Sequence, residues 1–204
     1  MTTAERRARV ARALRALGHD FVDHELDDDD LDALAETIEG LLGDVRRGRP
    51  RRRSDDGAGV ESDVTAFHRS LANDAVVAGP ANPMGLGAQH WYEDDVAVME
   101  VTIGRAFEGA PGRSHGGILA TLVDETMGYV LARHAIFALT GWLRIDYRDA
   151  APIGVPVRAR AWLEARDDRK LTIRARIDAG EIHVADGGAL FIAVDPALFS
   201  LRTD

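Results

Sequence analysis

The chain has 204 residues, 46% hydrophobic and 29% charged, the size of one domain or one domain with an extension. It contains no cysteine, which excludes disulfides, thiolate nucleophiles and Cys-based zinc or iron–sulfur sites and fits a reducing, cytoplasmic compartment. No apolar run approaches the roughly 18 residues needed to cross a bilayer, and no apolar leader segment follows the start. The net charge of −9 falls mostly on residues 54–204. Such an acidic domain repels a polyphosphate backbone, so nucleic acid is not an expected partner.

Residues 1–60 read as a helical extension and an Arg-rich linker, and residues 61–204 as the main domain. Thr2 and Glu5 have capping-box spacing. Val10, Leu14 and Leu17 then recur at helical intervals, and Gly18 is the predicted stop. The acidic run Asp27–Asp30 opens a second helix, whose apolar face is Leu31, Leu34, Ile38, Leu41, Leu42 and Val45. Two such helices need a surface to bury against, either the main domain or a second subunit. The linker Arg46–Arg53 has six arginines but no interleaved aromatic residue. It reads as a solvated hinge attracted to Asp27–Asp30 rather than a nucleic-acid site.

In the main domain Asp63 caps a predicted short helix through Val64, Phe67 and Leu71. Gly79-Pro80 and Asn82-Pro83 mark a turn. Strands are predicted over Leu86–Tyr92 and Val96–Ile103, followed by a Gly/Pro loop, Gly104–Arg113. The most apolar helix runs from Ile118 to about Ala135. Four strands close the chain, over Leu139–Arg148, Val155–Arg166, Leu171–Ala179 and Ile182–Val194, with Gly187-Gly188 marking a bulge or a break. Strands in runs around a lone buried helix predict an α+β fold, a curved antiparallel sheet wrapping its helix.

The chemistry concentrates around that helix. Gly116 and Gly117 open it without side chains, so a ligand oxygen can approach their N–H groups at the positive end of the helix dipole. Asp124 is a carboxylate amid Leu122, Val123 and Met127, a costly placement unless it has a partner or a task. Its structural alternative is an ion pair with Arg144 or Arg148. Gly116 and Asp124 are about 12 Å apart along a helix axis, too far to meet on one carbonyl group. Two antiparallel copies of the helix would bring one chain's N-terminus to the other's middle, giving two sites at a dimer interface.

Asn82-Pro83-Met84-Gly85-Leu86, the Glu-Gly-x-Pro-Gly loop at Glu108–Gly112, and His115-Gly116-Gly117 followed by Asp124 resemble the hotdog-fold acyl-CoA thioesterases, in the PaaI and THEM4-like branch. The resemblance spans roughly residues 78–195. It implies a hotdog fold and hydrolysis of an acyl-CoA thioester, with coenzyme A as leaving group rather than bound cofactor, and with no metal or other cofactor. It implies a homodimer or homotetramer with the active site between subunits. By the same resemblance Gly116, with Gly117, polarises the thioester carbonyl. Asp124 acts as nucleophile or general base, Thr140 positions the water or the carboxylate, and His115 braces the loop. Asn82, Gly117 and Glu125 fall among the substrate-binding positions.

Two departures stand out. Several hotdog thioesterases carry Asn or Gln six residues before the histidine, where this chain has Gly109. Glu125 adjoins Asp124, and only the family position chooses between the two acids. Gly112–Gly116 matches the letters of a serine-hydrolase elbow but lacks the preceding strand. The remaining histidines show no metal-ligand spacing, and Arg113, Arg144, Arg148 and Arg169 are candidates for coenzyme A phosphates. The competing reading is a non-catalytic acyl-CoA or acyl-chain binding module whose N-terminal extension engages a partner.

Overall fold

The computed structural model describes residues 1–51 and 72–195; the predicted helix at Val64–Leu71 lies outside them. In chain order the elements are α1 (Thr3–Asp23), α2 (Asp28–Arg46), β1 (Gln89–Glu93), β2 (Val96–Thr102), a 3-10 turn (Arg105–Phe107), α3 (Gly116–Arg133), β3 (Ala138–Tyr147), β4 (Pro156–Asp167), β5 (Lys170–Ala179) and β6 (Ile182–Ala193). The six strands form one antiparallel sheet in the order β1-β2-β4-β5-β6-β3. The order leaves β1 and β3 as its edges. This is the α+β architecture that the strand runs predicted.

The sheet holds α3 because its inward positions are small where the helix passes. Leu119, Leu122, Val123, Met127, Val130 and Leu131 form the buried stripe of α3, at the three- and four-residue intervals of one helix face. They share a core with Ala97, Met99, Ala159, Ala161, Ile173, Ala175, Ala185 and Ala189 from four strands. Thr126, buried in the same stripe, gives its hydroxyl proton to the Leu122 carbonyl at 2.6 Å. That satisfies the one polar group on this face. The opposite face of the sheet is charged and paired, as in Arg158–Glu100, Arg176–Asp178 and Arg174–Glu164.

Two expectations are corrected. First, β6 runs unbroken through Gly187-Gly188, in regular register with β3 and β5 on both sides. A Cβ on Gly187 would sit 2.8 Å from Val123 Cγ1, so the glycine serves the close approach of α3. Second, α1 does not stop at Gly18 but continues to Asp23. Interior glycine costs a helix about 1 kcal/mol, and contacts made by His19 and Asp23 beyond it offset that cost.

The face by which α1 meets its own domain is not its apolar one. Ala11 is its buried residue, and Ala8, Arg15 and His19 are half-buried along the same stripe, whereas Val10, Leu14, Leu17 and Phe21 are exposed. No residue of α2 is buried, and Val45 is 76% exposed. The hinge arginines behave differently from the expectation as well: Arg47 pairs with Asp44, and Arg51 reaches Asp74 at 2.7 Å. The capping box of α1 forms as read from the sequence, and α2 opens at the acidic run, with Asp27 as its N-cap.

The packing at Gly187 yields a prediction. Gly187→Val should destabilise the fold by about 2 kcal/mol or more, because branched carbon is driven into the packed face of α3. Chemical denaturation of the variant and the wild type measures the difference.

Candidate active site

The loop before α3 is a closed turn rather than a free linker. Gly109 N–H donates to the Arg113 carbonyl, and Ser114 N–H to the Ala151 carbonyl, both at 2.8 Å. Gly112 adopts φ +72°, the left-handed region that glycine occupies without strain, and its N–H donates to the Glu108 carboxylate. That bond, with Arg105 at 2.9 Å, holds the Glu108 carboxyl below its usual pKa. A Cβ on Gly109 would lie 3.0 Å from His115 Cα. A side chain at this position would need the His115 backbone to give way by a few tenths of an ångström.

His115 is the N-cap of α3 and sits in extended conformation, φ −63° and ψ 132°. Its Nδ1 accepts the Gly117 N–H at 3.0 Å. An imidazole accepting there carries its ring proton on Nε2. Ile118 N–H donates to the His115 carbonyl at 3.0 Å. Gly116 is then the first-turn residue whose N–H takes no partner among the described residues, and it faces outward at the positive helix end. Of the two glycine donors read from the sequence, Gly117 is committed to its cap and Gly116 is available.

Asp124 projects from α3 toward the start of β3, the edge strand of the sheet. It lines a cavity of about 470 Å³ together with Thr121, Gly128, Tyr129, Phe137 and Thr140. Thr140 Oγ1 donates to Asp124 Oδ1 at 3.3 Å. Burial raises the Asp124 pKa, and the Thr140 bond offsets part of the rise. The structural alternative for this acid fails, because Arg144 pairs with Asp146 and Arg148 with Asp186, both at 2.9 Å. Asp124 is thus a half-desolvated carboxylate with a hydroxyl partner and no cation among the described residues, an environment suited to a base.

Glu125 is separated from Asp124 by its bonds. Its two carboxylate oxygens accept the N–H groups of Val77 and Ala78, each at 2.7 Å. Burial raises its pKa while those backbone bonds lower it. It ties the segment before β1 onto α3. Asn82 does not itself line the cavity but holds two residues that do: its amide donates to the Asp74 and Ala75 carbonyls, and its Oδ1 accepts from Met84 N–H. The structure therefore brings together Asp124 with Thr140, and separately His115 with Gly116 and Gly117.

Tyr147 was not singled out by the sequence. Its hydroxyl donates to the Gly116 carbonyl at 2.7 Å, bolting the first turn of α3 to the end of β3. Nothing in strand periodicity announces that contact. A larger groove, about 840 Å³, lies on the other face of the sheet, but Arg158, Arg160 and Arg176 in it are paired with Glu100 or Asp178. Among the described residues no group of three His, Asp or Glu side chains is placed to hold a metal ion. No helix there is long and apolar enough to cross a membrane.

A helix wrapped by a six-stranded antiparallel sheet is the architecture of the hotdog class. Residues 111–185 match the family model of the thioesterase superfamily. The chain is 32% identical over 96 residues to acyl-coenzyme A thioesterase THEM4 of Xenopus laevis, covering 46% of this chain and 43% of that protein. The THEM4 protein of Rattus norvegicus is 34% identical over 96 residues, covering 46% and 41%. The chain thus aligns with less than half the length of these curated relatives.

Among solved structures, a thioesterase superfamily protein superposes with a TM-score of 0.78 at 22% identity, covering 91% of this chain and 90% of the other. Coverage that broad takes in N-terminal helices as well as the hotdog domain. A mutant phenylacetic acid degradation protein PaaI from Thermus thermophilus superposes with a TM-score of 0.50 at 23% identity, covering 53% of this chain and 95% of that one. At these identities the likeness is one of fold.

The two acids lead to opposite expectations. Glu125→Ala leaves two buried N–H donors without acceptors and should cost about 2 kcal/mol or more of stability. Asp124→Asn removes a carboxyl whose raised pKa makes its ionised form costly. Such a group favours folding below its unfolded pKa and loses that contribution as pH rises through the folded value. The Asn variant should therefore melt at or above the wild-type temperature at neutral pH, with the margin shrinking toward acid. Thermal melts across pH test both.

Proposed function

We propose that this protein hydrolyses acyl-CoA thioesters, with Asp124 of one chain and the Gly116 N–H of a second copy acting on the same carbonyl. The observation that carries the reading is the pairing of a half-desolvated, cation-free Asp124 with Thr140 on a helix whose first N–H is left open. The similarity to proteins named acyl-coenzyme A thioesterase supports the choice of substrate.

The second copy follows from geometry. Thr140 lies beside Asp124 near the start of β3, and Tyr147 lies beside Gly116 at its end. The strand is a free edge with exposed Leu139, Trp142 and Tyr147, an unpaired template for another strand. Antiparallel pairing of two β3 edges about a two-fold axis near Leu143 and Arg144 sets Thr140 opposite the other chain's Tyr147. That arrangement carries each Asp124 toward the other chain's Gly116 and forms two equivalent sites. A homodimer is the unit this requires, and a homotetramer would be two of them.

In the reaction the Gly116 N–H holds the carbonyl oxygen and stabilises the negative charge that grows on it. Ionised Asp124, steadied by Thr140, takes the proton of a water that attacks the thioester carbon, or attacks it directly. The tetrahedral species expels the coenzyme A thiolate, which takes up a proton. Attack by water yields the free acid at once, whereas direct attack leaves an acyl–Asp124 anhydride that a water then hydrolyses to the free acid and the carboxylate. The cavity beside Asp124 takes the acyl chain against Tyr129 and Phe137. Arg113 is exposed two residues before His115 and has no ion-pair partner among the described residues, which suits it to a coenzyme A phosphate.

Thiol release from a panel of acyl-CoAs tests the proposal. Asp124→Asn should lower kcat by about 10²-fold or more, and equal rates would remove Asp124 from the mechanism. Gly116→Pro deletes the N–H at a position where proline suits the first helical turn, after a residue already in the extended conformation. It should lose about 10²-fold or more in kcat. Because burial raises the Asp124 pKa and the group acts as a base, kcat/KM should climb with pH through a value above that of an ordinary aspartate and then level off.

A second reading has one observation in its favour: the apolar faces of α1 and α2 are exposed, as a partner-binding extension on an acyl-CoA binding module would have. Saturable acyl-CoA binding with no turnover across the panel would select it.

A further inference from the structure

The N-terminal helix touches the hotdog domain at the loop that delivers Gly116. Nδ1 of His19 accepts the Ala106 N–H at 3.1 Å. The His19 ring meets Phe107 edge-on, with centroids 5.2 Å apart and planes at 77°. The Phe107 carbonyl in turn accepts the His115 N–H at 2.9 Å, and His115 caps Gly117. One side-chain acceptor on α1 is therefore joined to the first turn of α3 by a short run of contacts.

A second connection runs beside it. Arg105 pairs with Asp23 of α1 at 3.0 Å and with Glu108 at 2.9 Å. Glu108 is the carboxylate that closes the loop onto Gly112. A third contact anchors the helix farther back, where Arg15 Nη1 donates to the Asn82 carbonyl at 2.6 Å.

The domain is shaped to receive these side chains. A Cβ on Gly104 would stand 2.7 Å from His19 Nδ1 and 2.8 Å from Cε1, so the imidazole fits because residue 104 is glycine. Gly87, at φ +73°, leaves Arg15 Nε the same kind of room, at 3.3 Å from a Cβ. Docking by a polar, shape-matched stripe while the apolar stripe faces solvent fixes a position instead of merely burying area.

We propose that His19 is a positioning residue for the oxyanion end of the site, setting through Ala106, Phe107 and His115 where the Gly116 N–H points. The inference rests on the thioesterase reading above. A donor that acts on charge developing in the transition state contributes to kcat, so its misplacement lowers kcat and kcat/KM together.

The test compares His19→Ala, His19→Gln and Gly104→Ala in the full-length protein, reading steady-state thioesterase kinetics and amide hydrogen exchange over residues 105–117. His19→Ala should lower kcat about tenfold, the scale of coupling carried through packed contacts, with KM within about twofold of wild type. Exchange in the loop should quicken. Glutamine offers Ala106 an acceptor and should recover most of both losses. Gly104→Ala evicts the ring from the domain side, leaves α1 unmutated, and should reproduce the His19→Ala phenotype.

Unchanged kcat and unchanged exchange in His19→Ala and Gly104→Ala would overturn the proposal, as would a change in KM alone or a glutamine variant no better than alanine. Failure of the thioesterase reading is distinguishable, since the wild type itself would then show no turnover while the exchange comparison could still be read.

Discussion

A helix is a rigid spacer, and α3 holds Gly116 and Asp124 two turns apart on one rod. The open N–H belongs to the end of that rod, because only the first turn of a helix has donors to spare. The acid belongs to its middle, where the sheet shields one side and the cavity strips water from the other. Both placements are needed for their chemistry, and a single rod cannot bring them to one carbon atom. Every functional statement about this protein follows from that separation and from the free β3 edge that offers a way round it.

What makes the rod usable is how closely it lies on its sheet. Alanines at 97, 159, 161, 175, 185 and 189, with Gly187, form a floor low enough for Leu122, Val123 and Met127 to reach. The helix is then fixed from outside by two tethers. Glu125 holds Val77 and Ala78 across its middle, and Tyr147 holds the Gly116 carbonyl at its start. The two groups of the proposed site are those without such ties: Asp124 keeps only a hydroxyl, and the Gly116 N–H keeps nothing among the described residues.

Much of this was legible in the residues. The strand runs, the lone apolar helix, both helix caps and the Gly116/Asp124 spacing follow from local periodicity and capping chemistry, which depend on near neighbours in sequence. The misread features depend on contacts across the fold. Gly187-Gly188 reads as a bulge until Val123 is seen above it. Gly18 reads as a stop until His19 is seen holding the domain. Apolar spacing marks a face of α1 that can be buried, while Gly104 and Gly87 make room for the face that meets its own domain. Glu125 and Tyr147 were opaque for the same reason, since their partners lie 48 and 31 residues away.

The central claim is that the acid and the amide of one site come from different chains. Asp124→Asn and Gly116→Pro subunits, co-expressed with different tags and purified as the heterodimer, put both defects in one site and leave the other intact. Thiol release by that heterodimer should recover to about half the wild-type rate, although either variant alone is nearly inactive. A heterodimer no faster than its parent homodimers would contradict the account.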